Sequence, residues 1–130
     1  MTFSIDIDRV TRENTAFRKV LSTGPNAQLV VMRLRPGEEI GEEVHEHVDQ
    51  LLSFVAGHGV AVIEGEERPV GPGILVHVPA GVRHNVVNRG PMDLRLSTVY
   101  APPQHAAGTI HATKADADRA EEAERLVAAR

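Results

Sequence analysis

The 130-residue chain contains no cysteine and no tryptophan. Without thiols there are no disulfides, cysteine nucleophiles, zinc fingers or iron–sulfur clusters, so any metal site has to be built from histidine, carboxylates and amides. Aromatic side chains are scarce, with three Phe and one Tyr, too few for base-stacking platforms or an aromatic membrane belt. Basic residues number 14 against 18 acidic ones, a formal charge of −4, which offers no broad cationic surface to nucleic acid. No apolar run is long enough to cross a bilayer, and residues 1–20 lack the apolar core of a secretory signal. The expectation is a cytoplasmic protein whose partner is a small molecule, with no nucleic acid and no membrane. The length suits one domain, which buries about two thirds of the surface its unfolded chain exposes.

Glycine and proline are well represented, at 11 and 8, and they divide the chain into short β-type runs. These are Leu29–Leu34, Asp49–Ala56, Val60–Ile63, Arg68–Val70, Ile74–Val78, Val82–Asn88 and Asp93–Tyr100. Within residues 1–28, the alternation of Phe3, Ile5 and Ile7 predicts an edge strand followed by a loop, part of the same domain. Asp49–Ala56 and Val60–Ile63, separated by Gly57-His58-Gly59, read as a hairpin. Turn signals at this spacing predict an all-β sandwich or barrel over residues 29–100 and exclude βαβ units. A connector follows at 101–112, then a C-terminal α-helix within 113–130, from about Lys114 to Ala129. Thr113 is its N-cap, with Asp116 three residues on. The Ala-rich face of that helix, and strand 29–34 read as an open sheet edge, point to a homodimer.

Two clusters carry the chemistry. In the first, His45 and His47 stand two apart, so on an extended segment both imidazoles leave from one face and can reach one metal ion. Gln50, three further on, joins them only if the chain turns around Val48-Asp49. In the second, Pro79-Ala80-Gly81 is a tight corner that fixes the entry of the next strand, and His84 shares a face with Val82, Val86 and Asn88. Three imidazoles and one oxygen ligand leave open coordination positions, as catalytic sites do.

The stretch from Gly73 to Asn88, together with the His45/His47 pair and the strand ending at Gly57, resembles the two motifs of the cupin superfamily. The resemblance covers residues 29–100. It implies a single cupin β-barrel of the double-stranded β-helix or jelly-roll type with a metal inside. The flanking stretches look like a group of small bacterial single-domain cupins sometimes called mannose-6-phosphate isomerase-like. Matched residue by residue, the implied ligands are His45, His47, Gln50 and His84 around one divalent transition metal: Fe, Mn, Ni or Zn. Gln50 falls where cupins usually carry a glutamate. A neutral amide leaves the ion its full +2 charge and cannot act as a base, and Asp49 is the nearest carboxylate substitute. Tyr100 and Asp49 are the candidate catalytic residues. The implied activity is metal-dependent chemistry of dioxygenase or isomerase type on a small oxygen-rich metabolite; the alternative is a non-catalytic small-molecule or sugar-binding module.

The remaining polar residues have plainer readings. Glu42, Glu43 and Glu46 read as a solvated acidic rim. His58 reads as an exposed turn residue and His77 as a sheet histidine. His105 and His111 read as connector surface, from which a lid over the barrel mouth could be built.

Overall fold

A computed structural model describes residues 2–129. The elements in order are α1 (Ile7–Glu13), β1 (Arg18–Thr23), β2 (Gln28–Leu34), β3 (Asp49–Ala56), β4 (Gly59–Ile63), β5 (Glu66–Val70), β6 (Leu75–Val78), β7 (His84–Val87), β8 (Leu94–Ala101), β9 (Ile110–His111) and α2 (Lys114–Ala128). A six-stranded sheet ordered β6-β3-β8-β2-β1-β9 faces a three-stranded sheet ordered β5-β4-β7. All the pairings are antiparallel. This mostly-β jelly roll with a C-terminal helix is the expected fold class.

Every strand expected between residues 29 and 100 forms; most are β-branched or leucine-rich runs bounded by Gly or Pro, and the polar Glu66–Val70 is held by pairing with β4. β2 and β8 are the middle of the large sheet. On β2, Val30 and Met32 enter the core while Val31, on the opposite face, is also fully buried. The outer face is covered by α1, which packs against β8, β3 and β2.

Three expectations are corrected. Residues 7–13 are a helix, not part of an edge strand. The Asp6 carboxylate accepts from the Arg9 N–H at the N-terminus, and Asp8–Arg12 and Arg9–Glu13 pairs line its exposed side. These local interactions outweigh a three-residue alternation whose members, Phe3, Ile5 and Ile7, all remain exposed. Residues 18–23, expected to be loop, form β1. Strand 28–34 is therefore interior, and the edges of the large sheet are β6 and β9. Nor do β3 and β4 form a hairpin: β3 pairs with β6 and β8, whereas β4 pairs with β5 and β7. The chain changes sheet at Gly57, at φ +80°, where a Cβ would stand 2.3 Å from the Asp93 carbonyl oxygen. Only glycine fits so close an approach.

The C-terminal helix forms as expected, with a reciprocal capping box between Thr113 and Asp116. No helix among the described residues is long and apolar enough to cross a membrane.

Candidate metal centre

The residues leading up to His45 run as an irregular strand beside β7. Glu39 bridges Val87 and Glu43 bridges His84, the second pair exchanging both backbone N–H···O bonds at 2.9 Å. Directly opposed residues send their side chains to the same face, so Glu43 enters the interior with His84. Alternation then turns Val44 out, 37% exposed, and His45 in, its side chain 9% exposed. The extended run stops there. Glu46 and His47 form a turn, and both are exposed. The extended segment, and with it the alternation, ends two residues before His47, so the inward pair is Glu43 and His45. His47 is not among the residues whose ligand atoms converge, and Glu43, read as part of a solvated rim, is.

Gln50 enters from β3, in register with Val78 on one side and Tyr100 on the other, and is buried. Asp49, one residue earlier, points outward. Its carboxylate accepts from the Ala80 N–H at 2.8 Å, tying down the Pro79-Ala80-Gly81 corner, and lies 3.5 Å from His77 Nε2. Both groups of that pair are about half exposed.

One ligand atom each from Glu43, His45 and His84 lies within 4.8 Å of the others. Glu43 Oε2 is 2.7 Å from His45 Nε2, yet that buried nitrogen has no aligned hydrogen-bond partner. His84 Nδ1 is 2.9 Å from the Val82 carbonyl, which assigns its N–H to that nitrogen and leaves a lone pair on Nε2. That lone pair faces Gln50 Oε1 at 3.1 Å, while the amide nitrogen of Gln50 donates to Thr98 Oγ1 at 3.0 Å. Two donor atoms at about 2.1 Å from one ion and at right angles lie roughly 3 Å apart. The unpartnered His45 nitrogen and the facing donors of His84 and Gln50 therefore fit a divalent metal held by Glu43, His45, Gln50 and His84. The carboxylate brings the net charge of such a site to +1, in place of the +2 that a set of neutral ligands would leave.

The cavity above this cluster has a volume of about 390 Å³, with Glu43, His45, Arg18, His105 and His111 in its walls and α2 at its margin. Tyr100 is fully buried, its ring edge-on to His45 at 6.0 Å and to His105 at 5.1 Å. Burial pushes the phenol well above its ordinary range, opposed by the Arg18 cation and reinforced by Glu43. Burial, joined by the Arg18 cation, lowers His105 to about 4. For Glu43, burial acts to raise the pKa, but His45, Arg18 and His84 together hold the carboxyl below its usual value. At neutral pH the site thus presents an ionised Glu43, a neutral phenol and a neutral His105.

His105 is a built part of the wall, not connector surface. The buried Gln28 side chain accepts from the backbone N–H groups of Gln104 and His105 at 3.1 and 2.9 Å and donates to the His105 carbonyl at 2.7 Å. His58 is exposed, as expected, and so is His77. Two residues of the site were not anticipated, Glu43 and Arg18. Glu43 was accessible through period-2 alternation, one strand period before His45, whereas Arg18 stands one period before Val20, whose burial only the structure shows.

A family model described as a cupin domain matches residues 30–100. The chain is 42% identical over 126 residues to the uncharacterized protein YrkC of Bacillus subtilis, spanning 92% of this chain and 68% of YrkC. The structure is similar to the crystal structure of BH2720 from Bacillus halodurans, with a TM-score of 0.90 and 38% identity, covering 92% of this chain and 95% of the other. KdgF from Halomonas sp. shares the fold at a TM-score of 0.63 and 25% identity, over 67% of this chain and 78% of KdgF. The matched family spans more than half of the sequence and the jelly roll carries a convergent cluster of Glu43, His45 and His84: the chain belongs to the cupin family.

Proposed function

We propose that this cupin is a metal-dependent enzyme acting on a small, oxygen-rich metabolite. The observation that carries the reading is the convergence of Glu43, His45 and His84, with Gln50 facing His84, beside a cavity that Glu43 and His45 line and that is large enough for such a molecule. A divalent ion held there, Fe, Mn, Ni or Zn, would supply Lewis acidity and open positions for a chelating oxygen ligand.

The chain's own groups favour dioxygenase-type over isomerase-type chemistry. Moving a proton between carbons needs a base poised near neutrality. Tyr100 is held protonated by burial, and His105, driven to about 4, is a weak base. Asp49 faces away and is engaged with Ala80. The roles left to these residues are positional. Tyr100 holds the His45 and His105 rings edge-on, Gln28 fixes the connector, and the barrel walls keep bulk water from the inner face of the cluster.

The test is turnover by metal-loaded protein on a panel of small hydroxy, keto and enediol acids, followed by oxygen consumption and by proton NMR of the products. The expected result is turnover that disappears in a folded His84→Ala variant. No turnover across the panel, with small-molecule binding unchanged in His84→Ala, would replace the enzyme with a metal-independent binding module.

A further inference from the structure

The centre accounts for Glu43, His45, Gln50 and His84 but leaves unexplained a cation in the same cavity. Arg18 opens β1, on the inward face it shares with Val20, and is 7% exposed. Its cross-strand neighbours are Met32 and His111. Among the described residues no carboxylate oxygen lies within 4.0 Å of its guanidinium, its Nε has no partner, and Nη1 stands 3.3 Å from His111 Nδ1. A guanidinium keeps its charge even when buried, and one with an unmade hydrogen bond is costly to hold out of water. Across the cavity, His105 Nε2 is also buried and unpartnered, on a segment that Gln28 pins in place.

We infer that Arg18 is the anchor for a carboxylate group on the ligand, with His105 as its neutral neighbour. A guanidinium fork matches the two oxygens of a carboxylate. With Glu43 committed to a metal, Arg18 is the charge in the cavity wall left to be balanced. The rim argues against a phosphate. Glu42, Glu121 and Glu124 line the mouth, and although Arg83 and Arg125 pair with the first two, a second negative charge on the ligand would face them. The ligand class is therefore a small acid whose carboxylate meets Arg18 while another oxygen function faces the metal-binding cluster. This rests on the enzyme reading above and specifies its substrate class.

The test is an NMR titration of the arginine Nε–H resonances in zinc-loaded and metal-free protein, with succinate and with inorganic phosphate as probes. The expected result is a saturable shift of one buried Nε–H on adding succinate, with binding roughly tenfold or more weaker in Arg18→Lys, which keeps the charge but loses the fork. In Arg18→Gln the binding should be lost. Succinate binding unchanged in Arg18→Gln, no saturable Nε shift in the wild type, or phosphate binding tighter than succinate at the same Nε would each overturn the assignment. If Arg18→Gln does not fold, the wild-type titration and the Lys variant decide. Metal content, measured on the same samples, separates the two claims. A chain that takes no metal yet binds succinate through Arg18 loses the enzyme reading and keeps the anchor. One that takes metal and turns over substrate without Arg18-dependent binding does the reverse.

Discussion

His84 Nε2 and Gln50 Oε1 face each other at 3.1 Å across the interior, one from β7 and one from β3, while the other nitrogen of the same ring is satisfied by Val82. Two electron-pair donors held this way repel unless a metal cation sits between them, a proton on Nε2 makes the ring an imidazolium donor, or the amide turns over. A carboxylate at position 50 would hold that cation more strongly. Gln50→Glu is expected to tighten divalent-metal binding by about tenfold or more, since ligand charge sets affinity in oxygen-donor sites. Competition against a chelator measures it, and equal or weaker binding in the variant would contradict the placement of Gln50 in the centre.

The wall of the cavity depends on Gln28, which is buried and makes three hydrogen bonds to Gln104 and His105. Gln28→Leu keeps the volume but leaves two backbone donors and a carbonyl without partners, at a cost of about 2–4 kcal/mol if the connector stays in place. Hydrogen exchange at the Gln104 and His105 amides should accelerate while metal content is unchanged. Unaltered exchange there would mean that other contacts hold the connector.

The pH dependence of stability has a definite sign. His105 has its pKa lowered from 6.5 to about 4 in the fold, chiefly by burial and then by Arg18. The unfolded chain therefore takes up a proton in that window that the folded chain refuses, and stability falls as pH drops from about 6.5 to about 4. Glu43 acts in the same direction at the acid end, because its lowered pKa favours the fold only while it is ionised. The Tm should decline between pH 7 and pH 4.5, and His105→Gln should flatten the upper part of that decline. A wild-type Tm independent of pH over this range would contradict the burial of a neutral His105.

The crossing between sheets can be tested at Gly57. With φ at +80° and the Asp93 carbonyl where a Cβ would go, Gly57→Ala should cost about 3 kcal/mol or more. Denaturant unfolding measures this. A loss below about 1 kcal/mol would show that the crossover does not need the close approach.

Most of the β structure between residues 29 and 100 was legible in the sequence, because hydrophobic runs between Gly and Pro punctuation encode strands locally. Which strands pair was less so: the β3–β4 hairpin reading failed because pairing is decided by the two sheets together, and Gly57 marks a crossover as readily as a turn. The helix at Ile7–Glu13 was hidden because Ile7, its exposed first residue, and Phe3 and Ile5 before it mimic strand alternation, while the signals that decided it were the Asp6 cap and the spaced Asp–Arg and Arg–Glu pairs. At the candidate site, the resemblance to the family's motifs points to Gln50 and His84 and the spacing of two to His45, and the structure buries Gln50 and His84 facing each other, with His45 and His84 in one cluster. The inward neighbour of His45 is Glu43 because the extended segment ends before His47, and nothing in Val44-His45-Glu46-His47 alone says which side of His45 the strand lies on. Arg18 was invisible for a different reason: an arginine in a polar stretch reads as surface until the strand it begins is known to face inward.

The central claim is that the metal centre is made by Glu43, His45, Gln50 and His84. Elemental analysis of protein purified without chelators, beside its Glu43→Ala, His84→Ala and His47→Ala variants, tests it most directly. The account predicts about one equivalent of a divalent transition metal in the wild type and in His47→Ala, and its loss from folded Glu43→Ala and His84→Ala. Metal retained by Glu43→Ala and lost from His47→Ala would contradict it.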